Sequence, residues 1–233
     1  PRFAIRAFAR PFGLFGRAGN PDLPPLPRAL QAMGPAYVKF GQVLSTRPDV
    51  TGKELNAQLR YLQDRLPPFP TAEARKCITA ELGPGIWDLI GDFGEPVAAA
   101  SIAQVHPAVW KPTGRKVAIK VLRPLVRRQF RADIGTFHFI ARLVERIVPG
   151  ARRLRPTAVV AHFEGVVNIE LDLRLEAAAA SEYRNNARED DKLVVPEVYW
   201  SGTSRRVLTL EWFDGLPLEP EPLAAAGHDL AGI

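Results

Sequence analysis

The 233-residue chain is 46% hydrophobic and 24% charged, a composition typical of a packed globular protein that excludes overall disorder. Its formal net charge of +6 favours anionic partners, but no recognised nucleic-acid-binding motif accompanies it, so nucleic acid is not an expected partner. One cysteine excludes an internal disulfide framework, and no apolar run reaches the roughly 20 residues of a membrane-spanning helix. We therefore expect a chain that is soluble or peripheral to a membrane.

Residues 1–27 form the first predicted segment, an N-terminal arm that combines basic and aromatic side chains and ends in a Pro-rich stretch. Arg2, Arg6 and Arg10 recur at helical spacing, although Pro11 would break a helix early. The arm either packs on the body of the protein or lies on an anionic membrane surface.

Residues 28–90 are predicted to be a helical extension. The first helix is expected over 35–46, because its first residue is a proline, which suits the first helical position. Thr51 and Glu54 have the spacing of a capping box at the start of the next helix. A further helix is expected over 71–83.

Residues 91–215 show a different periodicity and are predicted to form a mixed domain of strands and helices. Gly165 marks a possible bend in its longest helix, and the Pro- and Ala-rich residues 216–233 are expected to begin a linker or a further lobe. The predicted elements are strands over 97–110 and 116–121, a helix that starts after Pro124 and reaches about 148, a helix over 157–189, and strands over 193–200 and 205–213. This order of elements is similar to that of a protein-kinase small lobe with one extra helix.

The clearest chemical signal is the sequence Val-Ala-Ile-Lys at 117–120. Lys120 extends from an apolar strand, and a partly buried ammonium group needs an anionic partner. In nucleotide enzymes with this arrangement, the lysine binds the α- and β-phosphates and a helix glutamate. The helix that follows offers Glu170, Asp172 and Glu176. The tetrapeptide also occurs in strands that bind no nucleotide, so its assignment depends on the rest of the chain.

Three acidic residues on one continuous helix cannot all face one lysine. At about 100° per residue, Asp172 and Glu176 share a face, whereas Glu170 lies about 120° from Glu176. We therefore expect Glu176 to pair with Lys120, and Glu170 to pair with another cation, for which Lys39 is the candidate. The alternative is a solvated face that carries ordinary charge pairs.

Lys39 begins the sequence Lys-Phe-Gly-Gln at 39–42, inside an otherwise apolar predicted helix. Gly41 destabilises a helix by about 1 kcal/mol relative to alanine, so it should have a use, such as the close approach of another backbone. Alternatively, Lys39 is a surface residue beside a glycine that serves packing alone.

An alanine-rich loop precedes the lysine strand, at the position where kinases carry a glycine-rich loop over the phosphates. Alanine disfavours the positive φ angles that let backbone amides surround phosphates, and its methyl groups occupy space that phosphoryl groups would take. An alanine run is also typical of a plain helix. The loop consists of Ala98, Ala99, Ala100 and Ser101.

Taken together, these motifs resemble the UbiB family of atypical kinase-like proteins. The family's Lys-x-Gly-Gln motif falls on Lys39, Gly41 and Gln42, its alanine-rich loop continues into Ser-Ile-Ala-Gln-Val-His at 101–106, and its Glu-x-Asp motif falls on Glu170 and Asp172. The resemblance implies an α+β fold, in which a protein-kinase-like small lobe with an antiparallel sheet and helices follows a helical N-terminal extension. The extension would pack over the cleft and disfavour protein substrates.

The resemblance also implies roles for individual residues. The segment that ends at Phe213 is similar to the one that leads into the hinge, where backbone groups would hold adenine. The implied ATP-binding residues are Ala98, Ala99, Ala100, Ser101, Lys120, Glu211 and Phe213. The implied structural or regulatory residues are Lys39, Gly41, Gln42, Glu170, Asp172 and Glu176.

The function implied by the resemblance is an ATPase or small-molecule kinase that supports ubiquinone biosynthesis, with ATP and Mg²⁺ as cofactors. The implied partners are an isoprenoid lipid or membrane surface and other quinone-biosynthesis enzymes. The implied location is the cytoplasmic face of a bacterial inner membrane, or the mitochondrion in a eukaryote. The alternative function is a non-catalytic lipid-binding or scaffold module of a membrane-associated complex.

Nothing after Phe213 resembles the His-x-Asp catalytic loop or the Asp-Phe-Gly metal site of kinases. Phosphoryl transfer depends on Mg²⁺ that those residues hold. We therefore expect the large lobe and the metal ligands to lie beyond Ile233, and we expect no catalytic residue or metal ligand within this chain.

Overall fold

The computed structural model describes residues 22–46, 51–62, 67–190, 193–216 and 220–227. Most of the predicted N-terminal arm and much of the segment 216–233 lie outside these ranges. Within the described residues the chain is an α+β protein, with a group of helices followed by a five-stranded antiparallel sheet and further helices. This confirms the predicted fold class. None of the described helices has the length and apolar character needed to cross a membrane.

Two helices before the sheet, Pro35–Ser45 and Thr71–Leu82, begin and end close to the predicted positions. The helices Pro25–Met33 and Ile86–Leu89 were not predicted. A proline occupies the first position of the helices that begin at Pro25 and Pro35, where a missing N–H group leaves no helical hydrogen bond unmade. The predicted capping box is wrong, because Gly52 rather than Thr51 is the N-cap of α3. These helices are α1 (Pro25–Met33), α2 (Pro35–Ser45), α3 (Lys53–Leu59, followed by a 3₁₀ turn Arg60–Leu62), α4 (Thr71–Leu82) and α5 (Ile86–Leu89).

Gly41 lies where α2 crosses the 3₁₀ turn and α1. A Cβ atom at this position would overlap Leu62 Cδ1 and would lie 3.2 Å from Leu30 Cδ1. The glycine is therefore needed for a close approach, as predicted, but the neighbours are leucine side chains and not another backbone. Leu30, Leu59 and Leu62 are all buried in this small apolar cluster.

The sheet places Lys120 on a central strand. The strands are β1 (Ile90–Gly91), β2 (Ala98–Ala99), β3 (Ala103–Trp110), β4 (Arg115–Leu122) and β5 (Val207–Glu211). Their order in the sheet is β1-β3-β4-β5, with β2 also paired to β3, and Lys120 lies opposite Val105 on one side and Leu208 on the other. The predicted single strand over 97–110 is interrupted after Ala99, and the following loop rejoins the sheet at Ala103.

The long helix predicted over 157–189 is two helices. Asp172 separates them as the N-cap of the second, and its side chain accepts a hydrogen bond from Arg174 N at 3.3 Å. Leu173 N donates to Arg205 O at 3.1 Å, outside the helix, which ends the helical ladder here and not at the predicted bend Gly165. The helices after β4 are α6 (Val126–Ile147), α7 (Ala151–Leu154), α8 (Pro156–Glu170), α9 (Leu173–Asn186) and, later, α10 (Pro220–Ala225).

The strand predicted over 193–200 is wrong. This segment lies beside β5, where Glu211 N donates to Glu197 O and Tyr199 N donates to Thr209 O, both at 2.9 Å. It forms only an isolated bridge at Val198, because Pro196 lacks the N–H group that a continuous ladder needs.

The helical extension packs on the later helices through aromatic side chains. Tyr37 and Phe40 of α2 contact Phe137 of α6, with ring centroids 4.8 and 5.1 Å apart. Phe40 also contacts Phe163 of α8, in an edge-on geometry at 5.1 Å. Such pairs contribute roughly 0.5–1.5 kcal/mol each beyond the burial of their area. This aromatic cluster holds α2 beside the sheet and sets the position of Lys39 and Gln42.

Candidate functional site

A cavity of about 470 Å³ lies between helix α2 and the sheet. Its volume is within the usual range of small-molecule sites, about 300–1,000 Å³. The cavity brings together most of the residues for which ATP binding is predicted and one residue of the Lys-x-Gly-Gln motif. These residues are Gln42 from α2, Ala98, Ala99, Ala100 and Ser101 from β2 and the loop after it, and Lys120 from β4.

Lys120 forms an ion pair at the edge of this cavity. Its Nζ atom lies 2.8 Å from Oε1 and 2.7 Å from Oε2 of Glu176, which belongs to the first turn of α9. The side chains are 29% and 45% exposed. The predicted pairing of Lys120 with Glu176 is confirmed, and its exposure leaves the ammonium group accessible to an anion in the cavity.

Lys39 forms the second predicted ion pair. Its Nζ atom lies 2.7 Å from Oε2 of Glu170, the last residue of α8, and the two side chains are 19% and 32% exposed. The pairing is confirmed, but the angular argument that led to it assumed a continuous helix and was wrong in that respect. The helix break at Asp172 directs Glu170 and Glu176 to different lysines.

Asp172 binds arginines. Its carboxylate accepts hydrogen bonds from Arg174 Nε at 2.9 Å and Arg174 Nη2 at 2.7 Å, and Arg205 Nε lies 3.3 Å away. These hydrogen bonds, chiefly those from Arg174, hold the pKa of Asp172 below its ordinary value. Asp172 therefore fixes the start of α9, and with it the position of Glu176. The expectation that Asp172 shares a helix face with Glu176 fails because the helix begins anew between them.

Gln42 connects the extension to the alanine-rich loop. Its Nε2 atom donates to Leu62 O at 2.8 Å, and its Oε1 atom accepts from Ser101 Oγ at 3.5 Å. Ser101 is buried and follows directly after the three alanines. Gln42 thus holds the loop at a defined distance from α2 and lines the cavity with a polar amide.

Arg123 also anchors the alanine-rich loop and was missed by the sequence analysis. Its Nε atom donates to Ala100 O at 3.0 Å, and its Nη2 atom donates to Pro67 O at 2.8 Å. The sequence signal for this anchor was the position of the arginine, directly after the apolar strand that carries Lys120, where a guanidinium group needs several hydrogen-bond acceptors. Arg123 joins the loop to the segment before α4 and thereby shapes the wall of the cavity.

Gln104 and His106 form a buried polar network below the loop and were also missed. Gln104 accepts from Phe69 N at 2.8 Å and donates to Phe69 O at 3.0 Å, and its amide nitrogen lies 2.8 Å from His106 Nε2. His106 Nδ1 lies 2.8 Å from Gly94 O, which can only accept, so Nδ1 carries a hydrogen. His106 Nε2 faces the Gln104 amide nitrogen, which can only donate, so Nε2 is the acceptor and the ring is neutral. Burial lowers the pKa of His106, which favours this neutral form. The sequence signal for this network was a pair of polar residues on one face of an otherwise apolar strand.

Glu211 and Phe213 do not line the large cavity. They border a different pocket, of about 310 Å³, together with Arg184 and Val194. Glu211 accepts a hydrogen bond from Glu197 N at 3.3 Å and lies 3.7 Å from Arg115, so its carboxylate is engaged by neighbouring chain segments. Their role in holding adenine stays a prediction that rests on the resemblance.

Known proteins resemble this chain over most of its length. Residues 61–230 match the ABC1 atypical kinase-like domain. The chain is 41% identical over 204 residues to a "Probable protein kinase UbiB" of Marinobacter nauticus, and 46% identical over 207 residues to a protein of the same name from Xanthomonas axonopodis pv. citri. These alignments cover 87% and 86% of this chain. They cover 37% of each relative, so the chain spans little more than a third of their length.

Proposed function

This chain belongs to the UbiB family of ABC1 atypical kinase-like proteins, and from that premise we propose that its large cavity binds ATP. The observation that carries the proposal is the Lys120–Glu176 ion pair at the edge of the cavity. A strand lysine held by a helix glutamate is the arrangement that positions a cation for the phosphates in kinases. The whole protein would act as an ATPase or small-molecule kinase in ubiquinone biosynthesis.

The residues of the cavity suit the phosphates of a nucleotide. Lys120 supplies a cation that forms charge-assisted hydrogen bonds with phosphate oxygens. Gln42 adds an amide group on the opposite wall, and Ser101 adds a hydroxyl group. The methyl groups of the alanine-rich loop would keep phosphates farther from the backbone than glycines do, which is consistent with a site that differs from that of protein kinases.

Mg²⁺ is part of the proposal, and when bound it would neutralise charge on the phosphates. The described residues contain no group of three or more histidine, cysteine, aspartate or glutamate side chains that could hold a metal ion. We therefore propose that the metal ligands come from the remainder of the whole protein, since the chain spans 37% of its relatives.

A small-molecule or lipid substrate is favoured over a protein substrate. Helix α2 forms one wall of the cavity and is held there by the Tyr37 and Phe40 contacts with α6 and α8. A folded or extended protein substrate would have to displace this helix. The proposed context is an isoprenoid precursor of ubiquinone at a membrane surface, with other quinone-biosynthesis enzymes nearby on the cytoplasmic face. This context rests on the family resemblance alone.

The test is ATP binding to the whole protein, measured by calorimetry with and without Mg²⁺. Lys120→Ala should raise the dissociation constant for ATP by at least about tenfold, because it removes a charge-assisted hydrogen bond to the phosphates. Lys76→Ala is the matched control, since Lys76 is exposed on α4 and pairs with Glu73 away from the cavity. An unchanged dissociation constant in Lys120→Ala would refute the assignment.

The second candidate is a non-catalytic lipid-binding or scaffold module, which is favoured by the close packing of α2 against the lobe. A scaffold has no need of Mg²⁺-dependent nucleotide binding. Absence of ATP binding in the whole protein, together with retained binding to lipid vesicles, would therefore support the scaffold and exclude the enzyme.

A further inference from the structure

A smaller pocket of about 130 Å³ lies between helices α6 and α8, apart from the residues that line the large cavity. Arg127 and Arg131 face it from successive turns of α6, and Glu164 and Asn168 face it from successive turns of α8. Arg205, in the loop before β5, completes its rim. Three arginines from two distant parts of the chain thus line one small pocket.

The basic groups of this pocket are held in place. Arg127 Nε donates to Leu171 O at 3.2 Å, and Arg205 Nε lies 3.3 Å from Asp172 Oδ2. Burial lowers the pKa of Arg127, and the nearby charges of Arg205 and Arg131 lower it further. Positive charges that disfavour one another are stabilised when an anion lies between them.

The acidic groups in and beside the pocket already have hydrogen-bonding partners. Glu164, which lines the pocket, has its Oε2 atom 2.9 Å from His138 Nε2. Asp172, which contacts Arg205 beside the pocket, accepts two hydrogen bonds from the Arg174 side chain. The surrounding charge is therefore positive in balance, even though two carboxylates are close.

The size and floor of the pocket restrict the ligand. A water molecule occupies about 30 Å³ of liquid, so 130 Å³ has room for about four water molecules, or for one small tetrahedral oxyanion. The pocket is much smaller than the roughly 300 Å³ at which sites for drug-sized ligands begin. Its floor is apolar and buried, which excludes water below the arginines and strengthens their interaction with a charged ligand. The floor residues are Phe130, Ile134, Val167 and Leu171.

We propose that Arg127, Arg131 and Arg205 form a binding site for a phosphate-type oxyanion. Planar guanidinium groups bind phosphate oxygens through paired hydrogen bonds, and the Asn168 amide supplies a further donor at the rim. The ligand is inorganic phosphate or the terminal phosphate of a larger molecule, including a phosphate-terminated lipid. This site is separate from the ATP cavity and does not depend on the proposed function.

The experiment is a calorimetric titration of the whole protein with inorganic phosphate. It is done in the Lys120→Ala background, so that phosphate bound by Lys120 does not contribute. Arg131→Gln should raise the dissociation constant for phosphate by about tenfold, and Arg131→Lys should raise it less, because the charge is kept while the paired hydrogen bonds are lost. Arg128 is an exposed neighbour on α6 outside the pocket, so Arg128→Gln should leave the dissociation constant for phosphate unchanged.

Two results would overturn the proposal. One is a dissociation constant that is the same in Arg131→Gln and Arg205→Gln as in the parent protein, which includes the absence of measurable binding in all three. The other is an equal loss in Arg128→Gln, which would indicate a general effect of net charge. Circular dichroism of each variant is the control for intact helices. Arg131 and Arg205 are exposed, so their replacement should not unfold the protein.

A vesicle experiment distinguishes the sources of the phosphate. Vesicles of phosphatidylcholine alone are compared with vesicles that also contain phosphatidic acid. If Arg131→Gln reduces sedimentation with phosphatidic acid vesicles by about tenfold, the site takes a lipid phosphate. If the variant changes only the titration with inorganic phosphate, the site takes a free phosphate group.

Discussion

The ion pairs Lys39–Glu170 and Lys120–Glu176 have the same 2.7 Å separation and flank the same junction between α8 and α9, but their surroundings differ. The Lys39 pair is more covered by protein and lies beside the aromatic contacts that hold α2. The Lys120 pair is more exposed and borders a cavity of about 470 Å³. Exposure weakens an ion pair as a source of stability and leaves its charges available to a ligand. The first pair therefore serves assembly, and the second is the pair that we propose to serve binding.

The largest change in the free energy of unfolding should come from removing the aromatic packing beside Lys39. Phe40→Ala should lower the free energy of unfolding by about 3 kcal/mol, because the ring contacts both Phe137 and Phe163. Urea denaturation measures this loss. Phe139→Ala is the control, since that ring is 61% exposed and its removal should change stability by less than about 0.5 kcal/mol. Equal losses in both variants would show that α2 is not held by its aromatic face.

The next largest loss of stability is expected at Asp172, which lies at the junction of α8 and α9 and separates the two ion pairs. Asp172→Ala should lower the free energy of unfolding by about 2 kcal/mol, because it removes the N-cap of α9 and leaves Arg174 and Arg205 without their carboxylate. Asp172→Asn should lose less, because asparagine is also a good N-cap. Thermal unfolding monitored by circular dichroism compares the two. Identical losses would mean that the charge of Asp172, and not its cap, stabilises the junction.

The Asp172 variants should also differ from the parent protein in pH dependence. The pKa of Asp172 is held below its ordinary value of 3.8, so its carboxylate stabilises the folded state above that pH. This contribution should disappear as the pH falls through the lower pKa of the folded protein. The stability difference between the parent protein and Asp172→Asn should thus be constant near neutral pH and vanish in acid. A difference that persists in acid would assign the effect to packing.

The smallest effects compare the two lysines directly. Lys39→Met should lower the free energy of unfolding by about 1 kcal/mol, because Glu170 is left largely covered and unpaired. Lys120→Met should lower it by less than about 0.5 kcal/mol, since its pair is more exposed. Only Lys120→Met should weaken ATP binding. A larger loss of stability in Lys120→Met than in Lys39→Met would contradict the distinction between the two ion pairs.

The fold class and the two pairings were predicted correctly, although the angular argument for the pairings assumed a continuous helix that the structure does not have. Hydrophobic periodicity located α2, α4 and β4 closely, because each carries a regular apolar face and a clear start signal. The helix break at Asp172 could not be predicted, since it depends on a hydrogen bond from Leu173 N to Arg205 O, a residue distant in sequence. The error at 193–200 was avoidable, because Pro196 argues against a continuous strand.

The candidate site was predicted less completely than the fold. Motif residues such as Lys120 and Ser101 line one cavity, but Glu211 and Phe213 lie elsewhere, and local patterns contain no information about that separation. Arg123 and Gln104 position the alanine-rich loop through hydrogen bonds to backbone groups far along the chain. Such positioning side chains can be identified only once the structure shows which backbone group is their hydrogen-bond partner.

The contact between α2 and the later helices also has a consequence for synthesis on the ribosome. Helix α2 leaves the ribosome long before Phe137, Phe163 and Glu170, which cover its aromatic face and pair with Lys39. Apolar surface that is exposed during synthesis is prone to aggregation. The aromatic face of α2 therefore stays uncovered, and Lys39 lacks its Glu170 partner, until α6 and α8 have been made.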